Sequence, residues 1–189
     1  MKHVLTIIIL TLLTYHTTST ATYLTLNKSN STINFWVTHL LFLTAKGSFT
    51  NFDGTIFWNT QQPNTSYFEG HIQVNSISTG IEKYDDLILT PPFFDEDQFQ
   101  TITFKSTEIT QLTPTTYSVT GNLTCKGKTF QLNETLTVTT VPTTNNQLES
   151  QFNATFKVNR QDYDIAKHIT WPIVNDIVYI NLHFITLPY

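Results

Sequence analysis

The side chains that could do chemistry in this chain are few. Only four histidines lie beyond the first 21 residues: His39, His71, His168 and His183. No two of them are close enough in sequence to make a metal-ligand pair, and none belongs to a metal-binding or catalytic motif. A Gly-x-Ser-x-Gly elbow and a phosphate-cradling glycine loop are both absent. The acids Glu82, Asp85, Asp86, Asp95, Glu96 and Asp97 cluster, but without the twelve-residue ligand pattern of a calcium loop; they read as a solvated helix and loop. Cys125 is the single cysteine. It cannot build an internal disulfide framework, and it reads as a small strand residue without redox duty. Asp53 and Arg160 suit a salt bridge or turn caps. His39 ends an apolar stretch, where it could meet a polar group at a rim or tie down the turn that follows. No catalytic, metal or cofactor site is expected.

These residues must be positioned by strands. Thr, Asn, Phe, Ile and Tyr dominate the chain, and the β-branched and aromatic residues favour extended structure. Period-two alternation recurs. Ile33, Phe35 and Val37 alternate with polar or outward partners; so do Phe68, Ile72 and Val74, then Ile102 and Phe104, then Val119 and Leu123. Leu136 and Val138 follow, then Phe152, Ala154, Phe156 and Val158, and finally Val178, Ile180, Leu182 and Phe184. Gly47 and Gly54 fall inside the long segment 45–59, where glycine marks bulges or bends. One short helix is expected over Ile81 to Ile88, stopped by Pro91-Pro92, and a second helical turn after His39. About eight strands joined by short turns give an all-β, antiparallel meander. Its apolar face allows it to curl into a barrel; alternation alone does not distinguish that barrel from a two-sheet sandwich.

The first 21 residues differ from the rest. Lys2 and His3 precede the apolar run Val4 to Leu13, and the segment ends Ser19-Thr20-Ala21. That is the pattern of a secretory signal peptide, and the run is shorter than the ~20 residues needed to span a bilayer. Cleavage near Ala21 leaves 168 residues with nine basic and 14 acidic side chains. A mildly acidic chain with one arginine lacks the basic footprint of a nucleic-acid binder. The expectation is a periplasmic or secreted protein, not membrane-spanning, with residues 22–189 as one domain and a homodimer compatible with it. Asn27, Asn30, Asn64, Asn122, Asn133 and Asn153 each begin an Asn-x-Ser/Thr sequon, which matters only in a eukaryotic secretory pathway.

Several segments, in order, resemble the YceI-like family of lipid- or polyisoprenoid-binding periplasmic proteins. They are Ser31 to Phe35 leading to Val37-Thr38-His39-Leu40, Gly47 to Gly54, Ser76 to Gly80, Phe93-Phe94-Asp95, Thr101 to Ser106, Tyr117 to Thr124 and Val158 to Tyr163. Asn27, Asn30, Leu87, Gln100 and Asp164 depart from the family's usual residues. The resemblance implies an eight-stranded, lipocalin-like barrel with one or two short helices and a tunnel for a long isoprenoid or similar apolar lipid. Ile33, Phe35, Val37, Ile72, Val74, Ile102, Phe104, Val119, Leu136, Phe156, Ile180 and Leu182 are the candidate lining, with His39 at the mouth. The competing readings are a barrel filled by its own side chains, with Trp36, Trp58 and Trp171 in an outer interaction patch, and an enzyme built on a ligand-binding barrel. An enzyme needs a convergent acid-base pair inside the cavity, and the inner-face assignment contains none.

Overall fold

The structure, a computed structural model, describes residues 21–170 and 172–188. The expected signal segment therefore falls on residues 1–20, outside the described ones, up to Ala21, and so does Trp171. Alternation becomes strand wherever it was sustained. The strands are β1 (Ala21–Leu24), β2 (Thr32–His39), β3 (Leu43–Phe49), β4 (Phe52–Asn59), β5 (Tyr67–Gln73), β6 (Ile77–Ser78), β7 (Thr101–Gln111), β8 (Thr116–Cys125), β9 (Lys128–Pro142), β10 (Leu148–Asn159) and β11 (Val174–Ile185). One α-helix, α1 (Glu82–Leu89), lies between β6 and β7. Among the described residues no helix is long and apolar enough to cross a membrane.

All strands belong to one antiparallel sheet in the order β1-β4-β5-β7-β8-β9-β10-β11-β2-β3-β6. The sheet curls because β3 and β4, far apart in that order, are joined by only Thr50 and Asn51. The backbone bonds Thr50 N to Ser76 O (3.0 Å) and Gln73 N to Asn51 O (2.9 Å) carry the ladder around this corner. Rolling up pairs the edges that an open sheet would leave exposed.

Three expectations are corrected here. Among the described residues the strand count is eleven, not eight: β3 breaks from β4 at the corner, β5 breaks from β6 at a 3-10 turn over Val74–Ser76, and β1 adds a short strand beside β4. The helical turn expected after His39 is instead a tight reversal between β2 and β3, in which Leu40 (φ 47°) and Leu41 (φ 73°) are left-handed. The bend in the segment 45–59 falls at Thr50–Asn51 and not at a glycine. Gly47 instead faces Phe35 across the β2–β3 ladder, and a Cβ there would collide with the Phe35 ring. Gly121 on β8 is paired with Ser106, and a Cβ there would collide with the ring of Phe104, its diagonal neighbour.

Helix α1 lies one residue from its expected position. Asp85 accepts hydrogen bonds from the Thr79 backbone N–H (2.7 Å) and hydroxyl (2.6 Å), which ties the first turn to the end of β6. The helix stops at Thr90, before the two prolines, as the steric rule requires.

Two apolar clusters fill the barrel at different heights. At one end Trp58 is stacked on Phe68 (5.9 Å, 19°) and meets Tyr117 (4.8 Å, 82°) and Phe152 (5.5 Å, 88°) edge-on. With Leu24, Ile56, Ile109 and Val138 these rings form a packed floor. At the other end Ile33, Phe49, Phe52, Ile77, Ile102, Cys125 and Tyr163 cluster beneath α1 and the loops at 90–100 and 160–173.

Candidate functional site

Between the floor and the loops lies a cavity of about 420 Å³, within the usual range for small-molecule sites. Eleven of the nominated residues line it: Ile33, Phe35 and Val37 of β2, Ile72 of β5, Ile102 and Phe104 of β7, Val119 of β8, Leu136 of β9, Phe156 of β10, and Ile180 and Leu182 of β11. Strand pleating explains why one parity of each strand reaches the same space.

Two nominees are not in the lining. Val74 continues the alternation of β5, but the chain has left the strand there for the 3-10 turn, and Val74 is buried in the core cluster with Ile33, Phe52 and Ile102 at 1% exposure without bordering the cavity. His39 is the last residue of β2, opposite Leu43 and Val174, beyond the lining. Asp53 and Arg160 do not pair with each other. Asp53 pairs with Lys28 (2.9 Å), which with the Gly54 N–H holds its carboxyl below the usual carboxylate range. Of the alternative outer tryptophan patch, Trp58 is instead buried in the floor at 2% exposure, whereas Trp36, of the parity opposite to the lining, stacks on Tyr179 (5.2 Å, 3°).

Alternation did not signal the roof of the cavity. Ile88 of α1, Phe93 and Phe94 after it, and Tyr163 and Ile165 of the loop beyond β10 reach inward from irregular segments. Phe49 and Phe52, on either side of the corner, and Phe184, two residues beyond Leu182, also line it. Phe184 was within reach of the same period-two rule.

The roof is fixed by polar contacts. Arg160, 4% exposed, donates to the carbonyls of Asn175 (3.0 Å), Ile165 (2.8 Å), Ala166 (2.6 Å), Val174 (3.3 Å) and Ile169, and to Asp176 Oδ1 (2.8 Å). One guanidinium thus gathers Ile165, Ala166 and Ile169 together with residues 174–176, a use suited to its rigid fork of donors. Asp164 pairs with Lys167 (2.7 Å) and with Lys128; the two lysines hold its carboxyl down at about 2. Lys126 Nζ bonds the carbonyls of Pro91 (2.8 Å) and Asp164 (3.1 Å), joining both roof loops to the β8–β9 turn.

The inner face carries a few polar groups beside its apolar lining. Glu134 of β9 lines the cavity, and burial raises its carboxyl above the usual value. Tyr163 lies on the edge of the Phe130 ring (5.2 Å); its buried hydroxyl has no hydrogen-bond partner among the described residues. Burial, with Cys125 and Asp162 nearby, pushes that phenol up to about 12. Burial likewise drives the Cys125 thiol to about 12, against a smaller opposing pull from Lys126, so it carries no thiolate at neutral pH. Glu134, Tyr163 and Cys125 form no hydrogen bond or ion pair with one another among the described residues.

Comparisons with known proteins agree with this architecture. The model of the YceI-like domain matches residues 24–185. A UPF0312 protein of Staphylococcus aureus is 30% identical over 148 residues, covering 76% of this chain and 82% of that protein. A UPF0312 protein of Vibrio cholerae is 31% identical over 101 residues, 53% of each chain, so the chain spans about half the length of several curated relatives it matches. Among solved structures, BcnA of Burkholderia cenocepacia superposes with a TM-score of 0.79 at 21% identity, covering 86% of this chain and 99% of BcnA. A polyisoprenoid-binding domain from Saccharophagus degradans gives 0.66 at 13% identity, covering 89% and 99%. Those two likenesses bear on the fold. With a family model covering nearly all the described residues and a rolled antiparallel sheet enclosing an apolar cavity, this chain belongs to the YceI-like family.

Proposed function

We propose that the protein is an exported carrier that holds one long-chain, isoprenoid-type lipid inside its barrel. The observation that carries this reading is the cavity of about 420 Å³, lined mainly by aliphatic and aromatic side chains above an aromatic floor. Each methylene moved from water into such a space contributes about 0.8 kcal/mol. A long tail therefore binds tightly with little hydrogen bonding. The fold it shares with the polyisoprenoid-binding domain from Saccharophagus degradans supports the same class of ligand.

The test is to purify the full chain without detergent, examine it by native mass spectrometry and identify what organic solvent extracts. A bound apolar molecule of defined mass is expected; repeated failure to find or load one would sink the reading. Phe104→Asp or Ile180→Asp places a charge in the lining and should abolish loading. Asn122→Asp, on the exposed face of β8, should leave it intact. Export is tested separately: the mature protein in the producing organism should begin at Thr22, and an intact Met1 terminus would refute it.

A further inference from the structure

The wall of the barrel is not continuous. The ladder between β9 and β10 runs from Leu148–Pro142 only as far as Asn153–Thr137. Beyond that point residues 128–136 of β9 are paired with β8, and residues 154–159 of β10 are paired with β11. Among the described residues no pairing crosses from one group to the other. The two strand edges diverge, and side chains from both, Leu132, Glu134 and Leu136 on one side and Ala154, Phe156 and Val158 on the other, line the cavity. Phe130 and Tyr163 meet at the roof end of this gap.

Glu134 occupies the middle of it. It lies opposite Val119 on the β8–β9 ladder, a buried inward residue, and shares its parity with Leu132 and Leu136. It has no hydrogen-bond or ion-pair partner among the described residues. Arg160, the arginine of the lining, already gives its donors to the loop carbonyls and Asp176. A carboxylate drawn partly out of water without a partner costs free energy that a positively charged or hydrogen-donating ligand group would recover. The diverging strands leave backbone N–H and C=O groups beside it, which further suits a polar group there and not a methylene.

We propose that Glu134, at the gap between β9 and β10, receives the polar head of the bound lipid, and that this head is a cationic amine. This rests on the lipid-holding reading above and adds the chemistry of the head. The tail runs along the aromatic and aliphatic lining, while the ammonium donates to the Glu134 carboxylate.

Three ligands with one tail separate tail from head: farnesylamine, farnesol and farnesoic acid, titrated calorimetrically into the full chain and into Glu134→Gln. The expected order for the native chain is amine, then alcohol, then acid. Glu134→Gln should weaken the amine roughly tenfold, the factor carried by about 1.4 kcal/mol. It should also strengthen the acid and leave the alcohol within about twofold. The substitution keeps shape and removes charge, and an unchanged or raised melting temperature will show that the fold is intact. Equal affinity for all three heads, or an amine affinity untouched by Glu134→Gln, overturns the head assignment while leaving the lipid carrier standing. Failure of all three to bind overturns both.

Discussion

The two ends of the barrel are held together by different physics. The floor is a dry aromatic cluster, Trp58, Phe68, Tyr117 and Phe152, each ring within 6 Å of another. The roof is a set of loops fixed by one buried guanidinium and three lysines. An aromatic cluster gains from burial and from ring geometry, about 0.5–1.5 kcal/mol per pair beyond area, and tolerates no opening. A roof of backbone carbonyls gathered by charged side chains can be released contact by contact. The difference suggests which end yields to a ligand: the floor bounds how far a tail can go, and the roof is the part able to move.

The largest expected effect tests the floor. Trp58→Ala should lower stability by about 3–5 kcal/mol, the usual cost of emptying a buried aromatic site, as measured by urea denaturation. Phe94→Ala, in the half-buried roof, should cost less than half as much. Equal losses would erase the distinction between the ends.

Next is Arg160→Met, which leaves several loop carbonyls and Asp176 without their donor. A loss of about 3 kcal/mol is expected, together with protease cleavage confined to residues 161–173. Cleavage spread over the strands would mean that the arginine supports the whole fold and not the roof.

Tyr163→Phe should act in the opposite direction. Removing a buried hydroxyl with no partner relieves about 1 kcal/mol, so the empty protein should melt higher. A lower melting temperature would show that the hydroxyl is satisfied in solution.

Acid should affect the roof first. The Asp164 carboxyl is held at about 2, below its ordinary 3.8, by Lys128 and Lys167. A depressed carboxyl stabilises the fold fully above its unfolded value and loses that contribution as pH falls through the folded one. Melting temperature should therefore drop between roughly pH 4 and pH 2, and Asp164→Asn should flatten part of that drop. An unaltered profile in the variant would remove Asp164 from the account. The smallest effect is chemical: Cys125 lines the cavity as a neutral thiol, so it should react slowly with maleimide, and more slowly still once farnesol is bound. A rate unchanged by farnesol would place the tail elsewhere.

Much of the wall was legible in the sequence, because a pleated strand with one wet face must alternate. Ile33-Phe35-Val37 and Ile180-Leu182 reach the cavity for that reason. Val74 shows where the rule fails: periodicity carries no mark of the residue at which a strand turns into a 3-10 turn. The roof residues Ile88, Phe94, Tyr163 and Ile165 had no period to betray them, since loops are positioned by contacts distant in sequence, chiefly those of Arg160. The count of eight strands missed the corner at Thr50–Asn51 because a bent strand keeps its residue pattern while its pairing partner changes. Glu134 was within reach of the alternation that found Leu136, but an acid at an inward position runs against the apolar rule that defines the pattern.

The glycines against the rings of Phe35 and Phe104 have a consequence for calibre. Neither Gly47 nor Gly121 lines the cavity, yet each leaves the space into which an aromatic ring settles against the wall. A methyl group at either position would push that ring toward the axis. The bore of the barrel thus depends on two positions outside the lining, and a branched tail would be shut out by a substitution that changes no lining residue's identity.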